Sequence, residues 1–210
     1  MVPDRLTGFP AVLAAVEALV PPTGRRLLGL AGPPGAGKST LAERLVAAIG
    51  PVSVVVPLDG FHLPRDALAG RGLANVKGAP ETFDRAGFAA LLGRLISRDR
   101  VDPLPVLAPR FHREIEEPVA DEIVVTPGVR LVVAEGNYLL TWPEVRALFD
   151  EVWYVEASSE RRRVDELVAR HVRFGRSPAQ ARAWVLRSDE ANARLVAEGR
   201  SGADRVVCVW

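Results

Sequence analysis

Residues 32 to 39 read Gly32-Pro33-Pro34-Gly35-Ala36-Gly37-Lys38-Ser39 and satisfy the pattern G-x-x-x-x-G-K-[ST]. The pattern lies between an apolar run of strand length, Arg26 to Ala31, and a stretch rich in Ala and Leu that begins at Lys38. Glycines let a backbone wrap closely around an anion, and the amides at the start of the next helix point at that anion. The sequence therefore predicts a strand, a phosphate-binding loop and a helix in that order.

Two side chains of this loop are candidates for binding a phosphate group and a metal ion. We expect Lys38 to reach the β- and γ-phosphates of a nucleotide, and Ser39 to offer its hydroxyl to Mg²⁺. A glycine-rich turn that merely caps a helix is the alternative, and the flanking strand and helix disfavour it. The candidate nucleotide-binding residues are Gly32, Pro33, Pro34, Gly35, Ala36, Gly37, Lys38, Ser39 and Thr40.

The rest of the chain alternates between short apolar runs and helical patterns. The runs of strand length are Arg26 to Ala31, Val52 to Leu58, Leu131 to Ala134, Val152 to Val155, and Val206 to Val209. The helical stretches are Lys38 to Ile49, Arg85 to Ile96, Glu160 to Phe174 and Pro178 to Glu198, after a first helix between Phe9 and Val20. This alternation is typical of a three-layer α/β domain with a parallel sheet. We expect one domain over residues 1–210, with a functional cover between Pro64 and Thr82.

Composition limits the classes of partner. The 27 basic and 26 acidic residues leave a formal charge of +1, so no overall field attracts nucleic acid or a membrane. The single cysteine, Cys208, excludes an intramolecular disulfide, and no apolar run approaches the roughly eighteen residues of a membrane span. We therefore expect a cytoplasmic protein with a small-molecule partner, as a monomer or homodimer.

Acids follow two of the predicted strands. Asp59 opens the turn Asp59-Gly60-Phe61-His62, and Glu135 follows Leu131 to Ala134. The carboxyl ends of parallel strands carry the reactive groups of such sheets. Asp59 is the candidate catalytic base, because its carboxylate could accept a hydroxyl proton and aim the oxygen at a phosphorus atom. The alternative is a turn-forming Asp.

Glu135 is a candidate for the Mg²⁺ shell and for an acceptor contact, with a structural acid as the alternative. His62 could contact the acceptor or pack beneath the loop with its polar atoms satisfied.

A basic segment at about residues 160–178 predicts a lid. At about 100° per residue, Arg163, Arg170 and Arg173 share one helical face, and Gly175 could act as a hinge. Arginines delivered by a moving segment can neutralise the charge of phosphoryl transfer. We assign Arg170 to catalysis and Arg173 to the nucleotide; a solvated basic face is the alternative.

Two further polar residues are candidate acceptor contacts. Asn192 falls on the apolar stripe of the last helical stretch, so it must find either backbone partners or hydroxyls of an acceptor. Arg110 lies in a Pro-rich segment that either lines the acceptor pocket or forms a surface loop with local ion pairs.

These residues resemble the P-loop kinase family that contains uridine kinase, pantothenate kinase and phosphoribulokinase, and are most similar to a bacterial nucleoside kinase-like or fructokinase-like branch. The matching segments are 32–40, 59–62, 80–84, 135–140, 170–171 and 189–193. The resemblance implies a P-loop NTPase fold with a five-stranded parallel core and a mobile helical lid, ATP with Mg²⁺, and an acceptor site over Asp59. It also implies that Asp84 and Arg110 face the acceptor. The turn at Asp59 reads Asp-Gly-Phe-His, where uridine kinases have Asp-Ser-Phe-Tyr, so uridine is disfavoured as acceptor.

The predicted activity is transfer of the γ-phosphoryl group of ATP to a hydroxyl of a sugar, nucleoside or pantothenate-like metabolite. A nucleoside monophosphate kinase is the nearest alternative, with its extra arginines drawn from Arg65, Arg71, Arg110 and Arg113. A regulatory nucleotide switch is the alternative of another class, although the guanine-reading Asn-Lys-x-Asp sequence is absent.

Overall fold

A six-stranded parallel sheet forms the centre of the computed structural model, which describes residues 3–97 and 104–209. Eight strands are present in these ranges: β1 (Asp4–Thr7), β2 (Arg26–Ala31), β3 (Ser53–Pro57), β4 (Val106–His112), β5 (Glu117–Val125), β6 (Leu131–Glu135), β7 (Glu151–Val155) and β8 (Arg205–Cys208). The central sheet has the order β1-β8-β7-β2-β6-β3, and all its neighbours are parallel. Strands β4 and β5 form a separate antiparallel hairpin.

Helices connect the parallel strands. They are α1 (Phe9–Glu17), α2 (Lys38–Ile49), α3 (Arg65–Gly70), α4 (Arg85–Ser97), α5 (Pro143–Arg146), α6 (Glu160–Arg173), α7 (Pro178–Trp184) and α8 (Glu190–Glu198). A π-helical turn, Val185–Asp189, joins α7 to α8, so the helix predicted from Pro178 to Glu198 is interrupted in the middle. The segment predicted as a cover, Pro64 to Thr82, contains α3 and two short 3-10 turns, Ala74–Val76 and Pro80–Thr82.

The sheet is covered on both faces, because successive side chains of a strand point to opposite sides. In β6, Leu131 and Val133 pack with residues of α1 and α2, whereas Val132 and Ala134 pack with residues of α4 and α8. Burial on both faces explains why these strands read as unbroken apolar runs. The prediction of a three-layer α/β fold is confirmed.

The strand count differs from the five expected. The sixth strand, β1, pairs only with β8 and reads Asp-Arg-Leu-Thr, with three of its four residues exposed. An edge strand that is largely solvated needs no apolar run, so the hydrophobic pattern gave no signal for it.

The Pro-rich segment around Arg110, for which the sequence predicted no regular structure, forms the β4–β5 hairpin. Its register shifts between Ala108 and Arg110, at Pro109, which breaks the alternation that would have marked a strand. The hairpin packs closely on the turn after β3: a Cβ atom added to Gly60 would lie 2.4 Å from the Pro109 carbonyl oxygen. Glycine at this position therefore lets the hairpin lie directly beside Asp59.

Within residues 3–97 and 104–209, none of the helices combines the length and apolar character needed to cross a bilayer.

Candidate active site

A cavity of about 620 Å³ opens beside the phosphate-binding loop. The loop follows β2, Asp59 follows β3 and Glu135 ends β6, so three neighbouring strands deliver their polar groups to one edge of the sheet. Gly35 and Gly37 have φ of 77° and 86°, in the left-handed region that the turning loop requires. Helix α2 begins directly after this turn, at Lys38, and its first three residues line the cavity. The first amides of a helix have no partner within the helix, so they are available to an anion.

Lys38 is buried and holds the loop in shape. Its Nζ donates to the carbonyl oxygens of Gly32 and Pro33, both at 3.0 Å, and to Asn137 Oδ1 at 2.8 Å. Burial lowers the pKa of Lys38 to about 8, although the charges of Glu135 and Asp59 act in the opposite direction. The ammonium group is thus placed at the cavity wall with protein acceptors that an anion could replace.

Ser39 and Glu135 form a polar pair beside Lys38. Ser39 Oγ donates to Glu135 Oε1 at 3.0 Å. Burial, followed by the negative charge of Asp59, raises the pKa of Glu135, and Lys38 and the Ser39 hydrogen bond offset only part of this rise. In the part of the chain that the structure describes, no three His, Cys, Asp or Glu side chains are grouped as a metal site. A cation at this place would therefore need oxygen ligands beyond the protein, such as phosphate and water.

Asp59 lies on a 3-10 turn, Leu58–Phe61, at the end of β3. Its Oδ2 accepts a hydrogen bond from Arg113 Nη2 at 2.8 Å, and its Oδ1 lies 4.0 Å from His62 Nε2. Burial acts to raise the pKa of Asp59, but the charges of Arg113, His62 and Lys38 outweigh it and hold that pKa below its ordinary value. Asp59 is therefore a carboxylate at neutral pH.

His62 packs on two aromatic rings. Its ring is stacked on Phe83 with centroids 4.0 Å apart, and it lies 5.0 Å from the ring of Phe111. Burial lowers the pKa of His62, despite the nearby Asp59 carboxylate. Among the residues that the structure describes, Nδ1 has no hydrogen-bond partner, although the Thr82 backbone acts to raise the pKa of the ring. His62 is thus a packed histidine that also lines the cavity.

Helix α6 brings Arg170 and Arg173 to the cavity. The helix is capped by Ser159, whose side chain accepts from the Arg162 amide. Burial, with the charge of Arg113, lowers the pKa of Arg170. Arg163 behaves differently from the other two: its buried guanidinium donates to the Pro34 carbonyl at 2.9 Å.

The backbone carbonyl of Gly78 ties the segment between α3 and α4 to two other parts of the chain. It accepts from Tyr138 Oη at 2.6 Å and from Asn192 Nδ2 at 3.2 Å. The inward Asn192 therefore has a backbone partner while it also lines the cavity. Nearby, His171 Nε2 lies 2.9 Å from Asp189 Oδ2, which joins α6 to the π-helical turn.

Most of the predicted site residues meet in this cavity. Those that line it are Pro34, Gly35, Gly37, Lys38, Ser39, Thr40, Asp59, His62, Glu135, Arg170, Arg173 and Asn192. Gly32 and Pro33 contact Lys38 through their carbonyls, and Ala36 lies beside a second cavity on the other side of the loop.

Two predicted acceptor contacts lie elsewhere. Asp84 accepts the Gly87 amide at 2.9 Å at the start of α4, where it acts as a helix cap. Arg110 is on β4, has a side chain that is 54% exposed and lies 3.7 Å from Glu122. Neither side chain lines the cavity. Alternation along β4 turns Arg110 away from the site, and the neighbouring Phe111 faces it instead.

Asn137, Lys77 and Arg113 line the cavity and are not among the site residues predicted for the alcohol kinase. Asn137 lies two residues after Glu135, so its position just beyond the end of β6 could have indicated that it lines the cavity. Lys77 lies in the segment predicted as a cover, and no pattern in the neighbouring sequence indicated that it lines the cavity. Arg113 was considered only as a possible phosphate-binding arginine, and its pairing with Asp59 spans 54 residues of chain.

Several known proteins are similar to this chain. No protein-family model matches the chain. An ATP-dependent kinase-like protein, notR', of Aspergillus versicolor is 36% identical over 160 residues, which are 71% of this chain and 92% of that protein. A pantothenate kinase of Nocardioides sp. is 32% identical over 170 residues, 73% of this chain and 50% of its own length.

A solved structure extends the match to almost the whole chain. It is a Silicibacter sp. TM1040 protein, provisionally described as a fructose transport system kinase, with 36% identity and a TM-score of 0.84. The match covers 94% of this chain and 98% of that one. The chain belongs to the P-loop family of ATP-dependent kinases that includes uridine kinase and pantothenate kinase.

Proposed function

We propose that this kinase transfers the γ-phosphoryl group of Mg·ATP to a hydroxyl group of a small metabolite bound over Asp59. The observation that carries the proposal is the placement of Lys38, Asp59 and Arg170 around one cavity. Phosphoryl transfer depends mainly on positioning and charge neutralisation, and this arrangement supplies two cations and one carboxylate for both tasks.

The nucleotide would lie along the phosphate-binding loop. Its β- and γ-phosphates would replace the loop carbonyls and Asn137 as partners of Lys38. A second cavity of about 250 Å³ lies between residues 35–37 of the loop and residues 157–159 after β7. It adjoins the same loop, so we place the adenosine end of ATP there. Its polar lining from Ser158 and Ser159 suits a nucleobase edge.

Ser39 and Glu135 would hold the Mg²⁺. The Ser39 hydroxyl would bind the cation directly, and Glu135, 3.0 Å from that hydroxyl, would bind through water. When bound, the cation neutralises charge on the phosphate oxygens. The raised pKa of Glu135 fits this role, because a carboxyl group destabilised as an anion by burial gains most from a nearby cation.

Asp59 would orient the acceptor. Its carboxylate accepts the hydrogen bond of the acceptor hydroxyl and takes the proton as the new O–P bond forms and the bond between the γ-phosphorus and the bridging oxygen of ATP breaks. ADP carries away the electron pair of the broken bond. The low pKa of Asp59 makes it a weak base, so its main contribution is to aim the oxygen, and proton transfer comes late in the step.

Arg170 and Arg173 would neutralise the transferring group from α6. Both line the cavity opposite the loop. Arg163 does not share this role, since its guanidinium is already engaged with the Pro34 carbonyl, Glu160 and Glu190. Of the three arginines of the predicted lid, we therefore propose Arg170 and Arg173 as phosphate ligands and exclude Arg163.

A nucleoside monophosphate kinase is less well supported. Such an enzyme needs several arginines around the acceptor phosphate, and of the four arginines considered for this role only Arg113 lines the cavity. Arg65 lies 3.6 Å from Glu117 at the surface, and Arg71 is exposed. An alcohol acceptor needs only the single carboxylate that Asp59 provides.

The test is acceptor-dependent ADP formation by the chain of 210 residues. ATP and Mg²⁺ are supplied with sugars, polyols, nucleosides, hydroxy acids and nucleoside monophosphates, and ADP release is compared with the rate in the absence of an acceptor. We expect at least one alcohol to raise the rate. Stimulation by nucleoside monophosphates alone would contradict the proposal, and so would ATP binding without stimulation by any acceptor.

A further inference from the structure

The wall of the cavity beyond Asp59 combines aromatic rings with two cations. We define the acceptor wall by the residues that line the cavity on this side: His62, Lys77, Phe83, Phe111, Arg113 and Glu116. His62, Phe83 and Phe111 form its apolar part through ring contacts of 4.0 and 5.0 Å. The charged members, Lys77, Arg113 and Glu116, come from the cover segment and from the turn that joins β4 to β5.

Arg113 has unused hydrogen-bonding capacity. It lies in the hairpin turn with a side chain that is 41% exposed, and its Nη2 donates to Asp59 Oδ2 at 2.8 Å. Within residues 3–97 and 104–209, Asp59 is the one partner of this guanidinium, which carries five N–H donors. The remaining donors face the cavity or solvent.

Lys77 stands on the same wall and is more firmly held. Its side chain is only 16% exposed, and Nζ donates to the Glu116 carbonyl at 2.5 Å. The carboxylate of Glu116 is more distant, at 3.4 Å, and the Phe111 ring centroid lies 5.0 Å away. The backbone beside Lys77 is fixed, because the Gly78 carbonyl accepts from Tyr138 and Asn192. A cation in so enclosed a place has lost much of its hydration and gains from an anionic partner.

The position of Arg113 also conflicts with the role of Asp59. In the proposed reaction the carboxylate must face the acceptor hydroxyl, yet one of its oxygens is occupied by Arg113. Arg113 is the largest of the charges that lower the pKa of Asp59, and Lys38 and Arg170 add further positive charge around the carboxylate. An acceptor that carries its own anion would draw Arg113 away from Asp59 and leave both carboxylate oxygens for the hydroxyl.

We propose that the acceptor is an anionic alcohol, whose carboxylate or phosphate group is bound by Arg113 and Lys77 while its hydroxyl faces Asp59. This inference rests on the function proposed above and narrows its substrate class. The carbon skeleton between the two groups would lie along Phe83 and Phe111, which line the cavity. A neutral sugar or nucleoside would leave Arg113 paired with Asp59. It would also bring no negative charge to Lys77.

The test compares acceptors that differ only in the anionic group. Suitable pairs are glycerate and glycerol, pantothenate and pantothenol, and fructose 6-phosphate and fructose, so that carboxylate and phosphate sources are separated. Each acceptor is assayed for kcat and KM with the wild-type chain, Arg113→Met, Lys77→Met and Arg110→Met. Arg110→Met is the matched control, because it removes a hairpin arginine that lies outside the cavity.

The wild-type chain should prefer the charged member of at least one pair by about 10- to 100-fold in kcat/KM, as expected for a charge-assisted hydrogen bond to an arginine. Arg113→Met should remove most of that preference through KM, with a smaller loss in Lys77→Met and none in Arg110→Met. Calorimetric titration of the charged acceptor, without ATP, should show the same order of affinities.

Two results would overturn the inference while leaving the kinase function intact. One is equal or better use of the neutral members by the wild-type chain. The other is a loss in Arg113→Met that falls equally on both members and lies in kcat, which would make Arg113 a positioning residue for Asp59. Absence of phosphorylation for every alcohol would instead overturn both proposals.

Discussion

Replacement of Arg163 by Met is expected to destabilise the protein through the phosphate-binding loop. The Arg163 side chain is 1% exposed and joins three elements. Nη1 donates to the Pro34 carbonyl at 2.9 Å, Nε donates to Glu160 at 2.9 Å, and Nη2 contacts Glu190 at the start of α8. Methionine fills much of the same volume and restores none of these contacts.

The magnitude follows from what each partner loses. Removal of one partner of a buried ion pair costs about 3–5 kcal/mol when the other charge stays buried. Glu160 and Glu190 have exposed fractions of 72% and 25%, so water can solvate both after the change. The buried Pro34 carbonyl cannot be solvated as easily, and an unpaired acceptor costs about 1–3 kcal/mol. We therefore expect a loss of about 3 kcal/mol, equivalent to about 6–12 °C in Tm for a chain of this size.

The assay is urea and thermal unfolding, with Arg162→Met as the control. Arg162 is the preceding residue on α6, has a side chain that is 69% exposed and makes a surface pair with Glu166 at 2.7 Å. Its removal should cost no more than about 0.5 kcal/mol. ATP affinity should fall in Arg163→Met alone, because the Pro34 carbonyl of the loop loses its hydrogen bond from α6. Equal stability of the two variants, within about 0.5 kcal/mol, would refute the assigned role of Arg163.

Two other predictions concern Lys38 and Gly60. Burial lowers the pKa of Lys38 to about 8, so the free protein loses this proton as the pH rises through that value, whereas bound phosphate retains it. The calorimetric Kd for ATP should be flat near pH 7 and rise above about pH 8, approaching tenfold per pH unit; a constant Kd up to pH 9.5 would contradict the assignment. Gly60→Ala places a Cβ atom 2.4 Å from the Pro109 carbonyl oxygen. The substitution should lower the free energy of unfolding in urea by about 1–3 kcal/mol. It should also reduce kcat, because the hairpin is displaced from Asp59. Gly70→Ala, in α3 with open space around its Cβ position, should be neutral or slightly stabilising, and equal behaviour of the two variants would exclude the proposed packing.

Much of the site was predictable because its groups stand at the ends of apolar strands. The phosphate-binding loop is a contiguous motif, Asp59 is the second residue after β3, and Glu135 is the last residue of β6. In a parallel sheet these ends meet at one edge, so strand assignment alone brought Lys38, Asp59 and Glu135 together.

The remaining site residues depend on contacts that are distant in the chain. Arg113 reaches Asp59 from a hairpin whose alternation is broken at Pro109. Lys77 is placed by the hydrogen bonds to the neighbouring Gly78 carbonyl, which come from Tyr138 in the turn after β6 and from Asn192 in α8. Arg163 and Arg170 are spaced to share one face of α6, as the sequence predicted. However, Arg163 in the first turns packs under the loop, whereas Arg170 in the later turns lines the cavity. Helical periodicity gives a shared face and cannot tell which part of that face is buried.

The most direct measurement of the central claim is phosphoryl transfer from γ-labelled ATP to an alcohol by the wild-type chain and by Asp59→Asn, with ATP affinity measured on the same samples. Asp59→Asn should bind ATP with a Kd close to that of the wild-type chain and transfer label about 10²- to 10⁴-fold more slowly. Lys38→Ala, the companion variant, should weaken both binding and transfer. Transfer to the alcohol at the wild-type rate by Asp59→Asn would contradict the account.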